Sequence, residues 1–332
     1  MNMKLRIVIF TLAALCAVSC YDDYVGDYST VACGFANQTD VRSLIVGEGM
    51  KFSTGVALGG TISNDKTRRI SIGVDYSLVN EDTYSMLKGH TFAYIANLMK
   101  NVPSISALPA SLYDLESASG NSGEVIIRKG SHLGELVVKV DSAAFLADAG
   151  RVYPKEVLPL VITDGNGTEV MKDRKYSVIG VRYENMLFGN WYHGGYSEVY
   201  DAGGALVRTD RYPTAIPQAE NLVWTLTTVE PFSLTANAVG SGFNGAAAQM
   251  KLTLGADDTI VISSVPGATY DVQPDGESRF LRSKLLQDRK IVLNYKYSSG
   301  TDTIHAHDTL TFRNRIRDGV NEWQDENSSH YE

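Results

Sequence analysis

Residues 68–79 alternate strictly, with Ile70, Ile72, Val74, Tyr76 and Leu78 separated by Arg69, Ser71, Gly73, Asp75 and Ser77. A period of two puts one set on a buried face and predicts a half-buried strand. The same alternation returns in Met250, Leu252 and Leu254, in Ile291, Leu293, Tyr295 and Tyr297, and in Leu310 and Phe312. Gly59-Gly60, Asp164-Gly165-Asn166-Gly167, Gly203-Gly204, Pro266-Gly267 and Ser299-Gly300 punctuate these runs, as tight reversals requiring positive φ would. Over residues 81–101, Tyr84, Leu87, Tyr94, Ile95, Leu98 and Met99 approximate helical spacing and predict one or two helical turns. Strands do not alternate with long helices, which speaks against a doubly wound parallel sheet and for an antiparallel, all-β chain.

The apolar run 157–162 closes a first block, and the charged stretch Lys172-Asp173-Arg174-Lys175 precedes a new strand pattern. This predicts two units, residues 36–175 and 176–332, each large enough to bury its own core as a sandwich or barrel. With 332 residues, 44% hydrophobic and 20% charged, the chain is globular rather than disordered. Thirty Lys and Arg against 38 Asp and Glu give a net charge of −8, the wrong sign for a nucleic-acid partner. The three cysteines, Cys16, Cys20 and Cys33, are too few for a disulfide scaffold or a four-cysteine metal site.

Lys4 and Arg6 followed by the apolar run 7–18 read as an export signal over residues 1–20, the run being too short to span a bilayer. Ala17, Val18, Ser19 and Cys20 resemble the lipobox of bacterial lipoproteins, which implies that Cys20 is the lipid anchor. An ordinary secretory signal with a chance cysteine is the alternative. Asp22 and Asp23 resemble the surface-export signal of Bacteroidetes lipoproteins, which implies the extracellular face of the outer membrane; a plain solvated linker is the other reading. Residues 21–35 are expected to be a tether, with Cys33 a small linker or core residue.

Leu108 to Tyr113, Val125 to Gly130, Gly134 to Val140 and Leu158 to Ile162 resemble the N-terminal immunoglobulin-like domain of unknown function common in Bacteroidetes surface lipoproteins. Gly189 to Tyr196, Asn294 to Tyr297 and Asp308 to Asp318 resemble the lipocalin-like barrel domain that often follows it. The resemblance implies an immunoglobulin-like β-sandwich followed by a lipocalin-like β-barrel. It also implies glycan capture at the surface within a polysaccharide utilisation locus, beside an outer-membrane transporter and other surface lipoproteins. No catalytic motif defines that family, and no functional residue carries over.

Among motifs with chemistry, Gly240, Gly242 and Gly245 match the dinucleotide pattern, but the helix it needs has no room before the strand at Met250. His305 and His307 lie on one face of a strand, and two donors without a third do not make a metal site; no metal or cofactor is expected. The run from Asp164 to Thr168 fits a turn better than a calcium loop. No nucleophile elbow, zinc-protease helix or paired-acid motif is present, and Asp257-Asp258 reads as a solvated turn, so the chain is not expected to be an enzyme. The inventory of 18 Tyr and 3 Trp, with Trp191, Tyr192, Tyr196 and Tyr200 in one Gly-rich stretch, suits polysaccharide or oligosaccharide, whose C–H faces stack on flat rings. Trp191, Tyr192, Tyr196, Trp224 and Trp323 are the candidate ligand contacts. The expected function is non-catalytic glycan binding; the alternatives are a structural or adhesive module contacting a protein partner and a cryptic glycoside hydrolase.

Overall fold

A computed structural model describes residues 30–117, 123–215, 220–240 and 243–324. The export signal and Cys20 lie outside the described residues. Eleven strands build the first half: β1 (Ala32–Phe35), β2 (Thr39–Ile45), β3 (Lys51–Gly59), β4 (Arg68–Val74), β5 (Ser106–Ala107), β6 (Tyr113–Ser117), β7 (Glu124–Ile127), β8 (Leu133–Val140), β9 (Glu156–Asp164), β10 (Glu169–Val170) and β11 (Tyr176–Glu184). They form two sheets, β10-β1-β3-β8-β6 and β2-β11-β9-β4-β7, with β5 alongside β9. Phe35, Ile70, Val125, Leu136, Leu158, Leu160 and Tyr183 fill the core of this sandwich.

The continuous apolar run 157–162 has a physical reason here. Leu158 and Leu160 point into the sandwich, whereas Val157 joins Val41 and Val178 beneath the helices Glu81–Lys88 and Ala93–Met99, which contribute Leu87, Ile95 and Met99. A strand covered on both faces loses its polar set. The helices fall where the spacing predicted them, and Asn80 caps the first by accepting the Thr83 N–H at 3.0 Å. The strand expected over 68–79 stops at Val74, because the Asp75 carboxylate takes the Ser77 N–H at 3.0 Å and turns the chain into a 3₁₀ turn, Tyr76–Leu78.

Two expected boundaries shift. Cys33 and Phe35 are buried in β1, so the tether predicted over 21–35 cannot include them; burial also pushes the Cys33 thiol up. The strand expected to open the second unit, β11, pairs instead with β2 and β9 of the first. The charged stretch before it is a 3₁₀ turn, Lys172–Arg174, between two strands of the sandwich. The chain crosses at Asn185, whose side chain accepts the Leu187 N–H and donates to Pro231 O, both at 2.9 Å.

The second half contains β12 (Gly189–Tyr200), β13 (Leu206–Tyr212), β14 (Val223–Glu230), β15 (Ser233–Ala236), β16 (Ala238–Val239), β17 (Phe243–Asn244), β18 (Met250–Leu254), β19 (Ile260–Ser264), β20 (Gln273–Pro274), β21 (Arg279–Leu281), β22 (Lys290–Ser299), β23 (Asp302–Arg317) and β24 (Val320–Glu322). The main sheet runs β19-β18-β15-β14-β12-β23-β22-β20, with β13 on β12, β21 on β22 and β24 on β23. The N–H groups of Ile260 and Phe280 donate to Ser278 O and Asp258 O at 2.8 Å, which bring β21 back against β19 and nearly close a barrel. Trp191, Trp224, Leu252, Leu293, Leu310 and Phe312 pack inside it. The molecule is all-β, a sandwich followed by a barrel.

Candidate functional site

Along β12 the inward set is Trp191, His193, Ser197 and Val199, all buried, so Tyr192, Tyr196 and Tyr200 face out and are half-buried. On β23, Ile304, Ala306, Asp308 and Leu310 are buried, which leaves His305 and His307 on the outer face. The register sets Tyr196 opposite His307 and Glu198 opposite His305. Side chains therefore line up in rows across the wall. Arg211 of β13, Tyr196, His307 and Asn294 of β22 make one row; Thr209, Glu198, His305 and Lys296 make the next.

The rows are held by direct contacts. Tyr196 and His307 stack with centroids 4.6 Å apart, and the Arg211 guanidinium lies 5.8 Å from the Tyr196 ring. Nδ1 of His307 is 2.8 Å from Asn294 Oδ1. Tyr200 meets His305 edge-on at 5.1 Å, and His305 Nδ1 lies 2.5 Å from the Asp275 carboxylate. Tyr200 donates to Glu198 at 3.2 Å, and that hydrogen bond holds its phenol above the usual value. Arg313 lies 5.7 Å from the Tyr192 ring. The wall thus offers ring edges, imidazoles, amides and guanidinium groups in rows about 7 Å apart along the strands and about 5 Å apart across them. Such a surface suits a neutral, hydroxyl-rich chain, which needs many donors and acceptors and little net charge.

Tyr192 and Tyr196 share the outward face of β12, separated by Gly194, which the backbone of Pro213 covers; the other three candidates are elsewhere. Trp191 and Trp224 are both 0% exposed, which corrects their assignment as sugar platforms, since a ring without a free face stacks on nothing from solvent. Trp191 donates to Leu187 O at 3.0 Å and meets Phe312 edge-on at 5.3 Å, while Trp224 stacks on His193 at 4.7 Å. Trp323 is 55% exposed just after β24. Its neighbours Glu322 and Gln324 line a cleft of about 680 Å³ shared with Lys51, Phe52 and Glu135 of the sandwich.

One polar group had no sequence signal. His193 Nε2 lies 2.8 Å from Asp308 Oδ1, Tyr295 donates to Asp308 Oδ2 at 2.6 Å, and the Gly240 N–H donates to the Tyr295 hydroxyl at 2.7 Å. Burial, with Asp308 second, pushes the Tyr295 phenol well up. All three side chains lie within the barrel core, where they satisfy one another.

The remaining motifs sit in turns and short strands. The acids of the Asp257-Asp258 turn are engaged by Thr259 and Arg282, the latter at 2.6 Å. Asn166 and Gly167 have φ of 48° and 81°, as a tight turn requires. Gly242 lies outside the described residues, and the strands beside it, β16 and β17, pair antiparallel. Among the described residues no helix is long and apolar enough to cross a membrane.

No protein-family model matches the chain, and no curated protein does. Among solved structures, a Bacteroides ovatus protein of unknown function superposes with a TM-score of 0.60 at 18% identity, covering 90% of this chain and 99% of that one. A multidomain protein including DUF1735 from Bacteroides ovatus gives 0.42 at 16% identity, over 88% and 99% of the two chains. An auxiliary nutrient binding protein from Bacteroides thetaiotaomicron gives 0.39 at 15% identity, over 87% and 96%. The first of these likenesses shows the fold, an all-β architecture that a Bacteroides protein carries over nearly its whole length.

Proposed function

We propose that the chain is a non-catalytic glycan-binding protein that captures polysaccharide or oligosaccharide at the cell surface, held by a lipid on Cys20 and working beside an outer-membrane transporter and other surface lipoproteins. The observation that carries the reading is the outer wall of β12 and β23, where Tyr192, Tyr196, Tyr200, His305 and His307 share one face. Repeated weak contacts along an extended wall suit a polymer, which can engage several rows at once.

Affinity electrophoresis of the chain in gels cast with plant, fungal and host polysaccharides tests it. One polymer is expected to retard the chain, and Tyr196→Ala and His307→Ala to weaken retardation about fivefold each, the ~1 kcal/mol of an aromatic contact. Val261→Ala on β19 should behave as the parent. Retardation that ignores both wall variants would remove the wall from the reading, and no retardation by any polymer would remove glycan capture. The adhesive alternative draws on a different feature, an apolar recess of about 800 Å³ lined by Met50, Leu146, Met186 and Leu254, where Phe232 is 53% exposed. Phe232→Ser would then abolish a protein contact and leave polymer retardation intact.

A further inference from the structure

β13 is a sheet edge. It pairs with β12 on one side, and among the described residues no backbone ladder covers its other side. Its faces are open as well: Leu206 is 52% and Val207 57% exposed, and Arg208, Thr209 and Arg211 are exposed. An uncovered row of N–H and C=O groups is a template for another strand. Charges on an edge usually protect it, because they meet the wrong neighbour on an incoming strand. The order of the charges here, Arg208-Thr209-Asp210, decides which strand is the right one.

Consider a second copy of β13 laid antiparallel against the first. Only alternate residues of a strand turn their N–H and C=O toward the open edge, and facing residues in an antiparallel pair must be of the same kind. In a self-pairing, the two facing positions must therefore both be odd or both be even. Of the seven residues of β13 that could lie on the axis, only the middle one, Thr209, pairs the strand along its whole length, and the charges weigh the same way. With Asp210 on the two-fold axis, the two Asp210 carboxylates oppose each other; with Arg208 or Arg211 on it, two guanidinium groups do. Like charges directly opposite are unfavourable. With Thr209 on the axis, Arg208 faces Asp210 of the second copy, twice by symmetry, and Val207 faces the aliphatic stem of Arg211.

We infer that the chain self-associates through β13 as a symmetric antiparallel edge-to-edge dimer, with Thr209 on the two-fold axis and two Arg208–Asp210 pairs across it. Within one chain Arg208 and Asp210 already lie 3.2 Å apart, so both side chains sit on the same face and exchange partners without crossing the sheet. The axis is perpendicular to the sheet, so the outer walls of both barrels face the same side. Three strand spacings, about 14 Å, then separate β12 of one copy from β12 of the other. The association does not depend on glycan binding. A seven-residue edge falls in the small, transient class of interfaces, so it forms at high local concentration.

Sedimentation velocity of the full chain from about 10 μM to about 1 mM, at low salt, should show a monomer–dimer equilibrium. Arg208→Asp and Asp210→Arg each place like charges opposite one another and should weaken self-association at least tenfold. Their equimolar mixture should restore it, because an Arg208→Asp chain and an Asp210→Arg chain are complementary. In a Cys16→Ser, Cys20→Ser background, Thr209→Cys brings two thiols about 4.5–5.5 Å apart between Cα atoms and should give a covalent dimer with oxidised glutathione, which takes up the two electrons and protons, while the background chain does not. A parent that stays monomeric together with a Thr209→Cys chain that does not cross-link overturns the inference. So does a dimer that both charge reversals leave unchanged.

Discussion

Asp318 occupies a turn and an interface at once. With Gly319 it forms the two-residue reversal between β23 and β24, at φ of 51° and 80°, the left-handed pair that Asp-Gly sequences supply. Its carboxylate reaches into the sandwich and accepts the Ser43 N–H at 2.9 Å. Burial pushes its pKa up to about 6, against the lowering influence of Arg42, the Ser43 hydrogen bond and Arg317, and the side chain is only 11% exposed. The unfolded chain ionises the same group near 3.8. The folded state therefore holds the extra proton between these values, and stability falls as pH rises from about 4 to about 6, with the full cost present above 6. A rise of that size corresponds to ~3 kcal/mol. Asp318→Asn keeps the turn and the acceptor oxygen without the charge. It should stabilise the chain at pH 7 by up to ~3 kcal/mol in urea denaturation, with the difference vanishing near pH 4. Equal stability at pH 7 would show that the carboxylate is not desolvated there.

At the scale of a strand, β12 changes partner on one edge, from β14 up to Tyr192 to β13 from Gly195 onward. Gly195 makes the change possible: its φ is 109°, and a Cβ would stand 2.1 Å from the carbonyl oxygen of His307 on β23. Gly195→Ala has no cheap escape, because the obstacle is backbone. It should cost more than ~2 kcal/mol. Trp191 and Trp224 are buried in the barrel, so the red shift of tryptophan emission in urea reports its unfolding; an unchanged midpoint would mean that the wall can flex around the new methyl. The same strand marks how far the sequence could be read. Half-buried strands such as β4, β18 and β22 were legible because one alternating set is polar, and the helices because their spacing is not two. Trp224 was legible too, since Trp224 and Leu226 alternate with Thr225 and Thr227, which places the indole inside. β12 gave no such help. Trp191 and His193 on one set and Tyr192 and Tyr196 on the other are both aromatic, and an irregular register between Asn190 and Trp191 hides the phase. The rows join β12 to β23, strands far apart in the chain, and the places of Arg211 and Asn294 in them had no local signature.

Across the whole molecule, the junction between the two halves carries buried charge as well as apolar contact, Ile45 of β2 packing into the barrel core. Glu48, in the turn after β2, has a side chain only 3% exposed and accepts from Arg289 at 2.8 Å and from Arg315 at 2.8 and 3.1 Å; Arg315 also donates to Glu322 at 2.5 Å. Burial by itself would raise the Glu48 pKa, yet the two guanidinium groups hold it below the ordinary value, so the network contributes stability at neutral pH that is lost as acid protonates it. A buried ion cluster is a poor source of net stability but a sensitive one, because removing one member strands the others without water. Glu48→Gln keeps the size and removes the buried charge that Arg289 and Arg315 share, Arg315 retaining Glu322. The loss should be ~3–5 kcal/mol, and it falls on the junction. Calorimetry is therefore expected to show the sandwich and barrel melting closer together in the parent and further apart in Glu48→Gln. Each half keeps its own apolar core, so neither transition should disappear. If both transitions move down together and stay joined, the halves are coupled mainly through other contacts, such as Asn185 with Pro231 and Ser43 with Asp318, and Glu48 acts only on the stability of the whole.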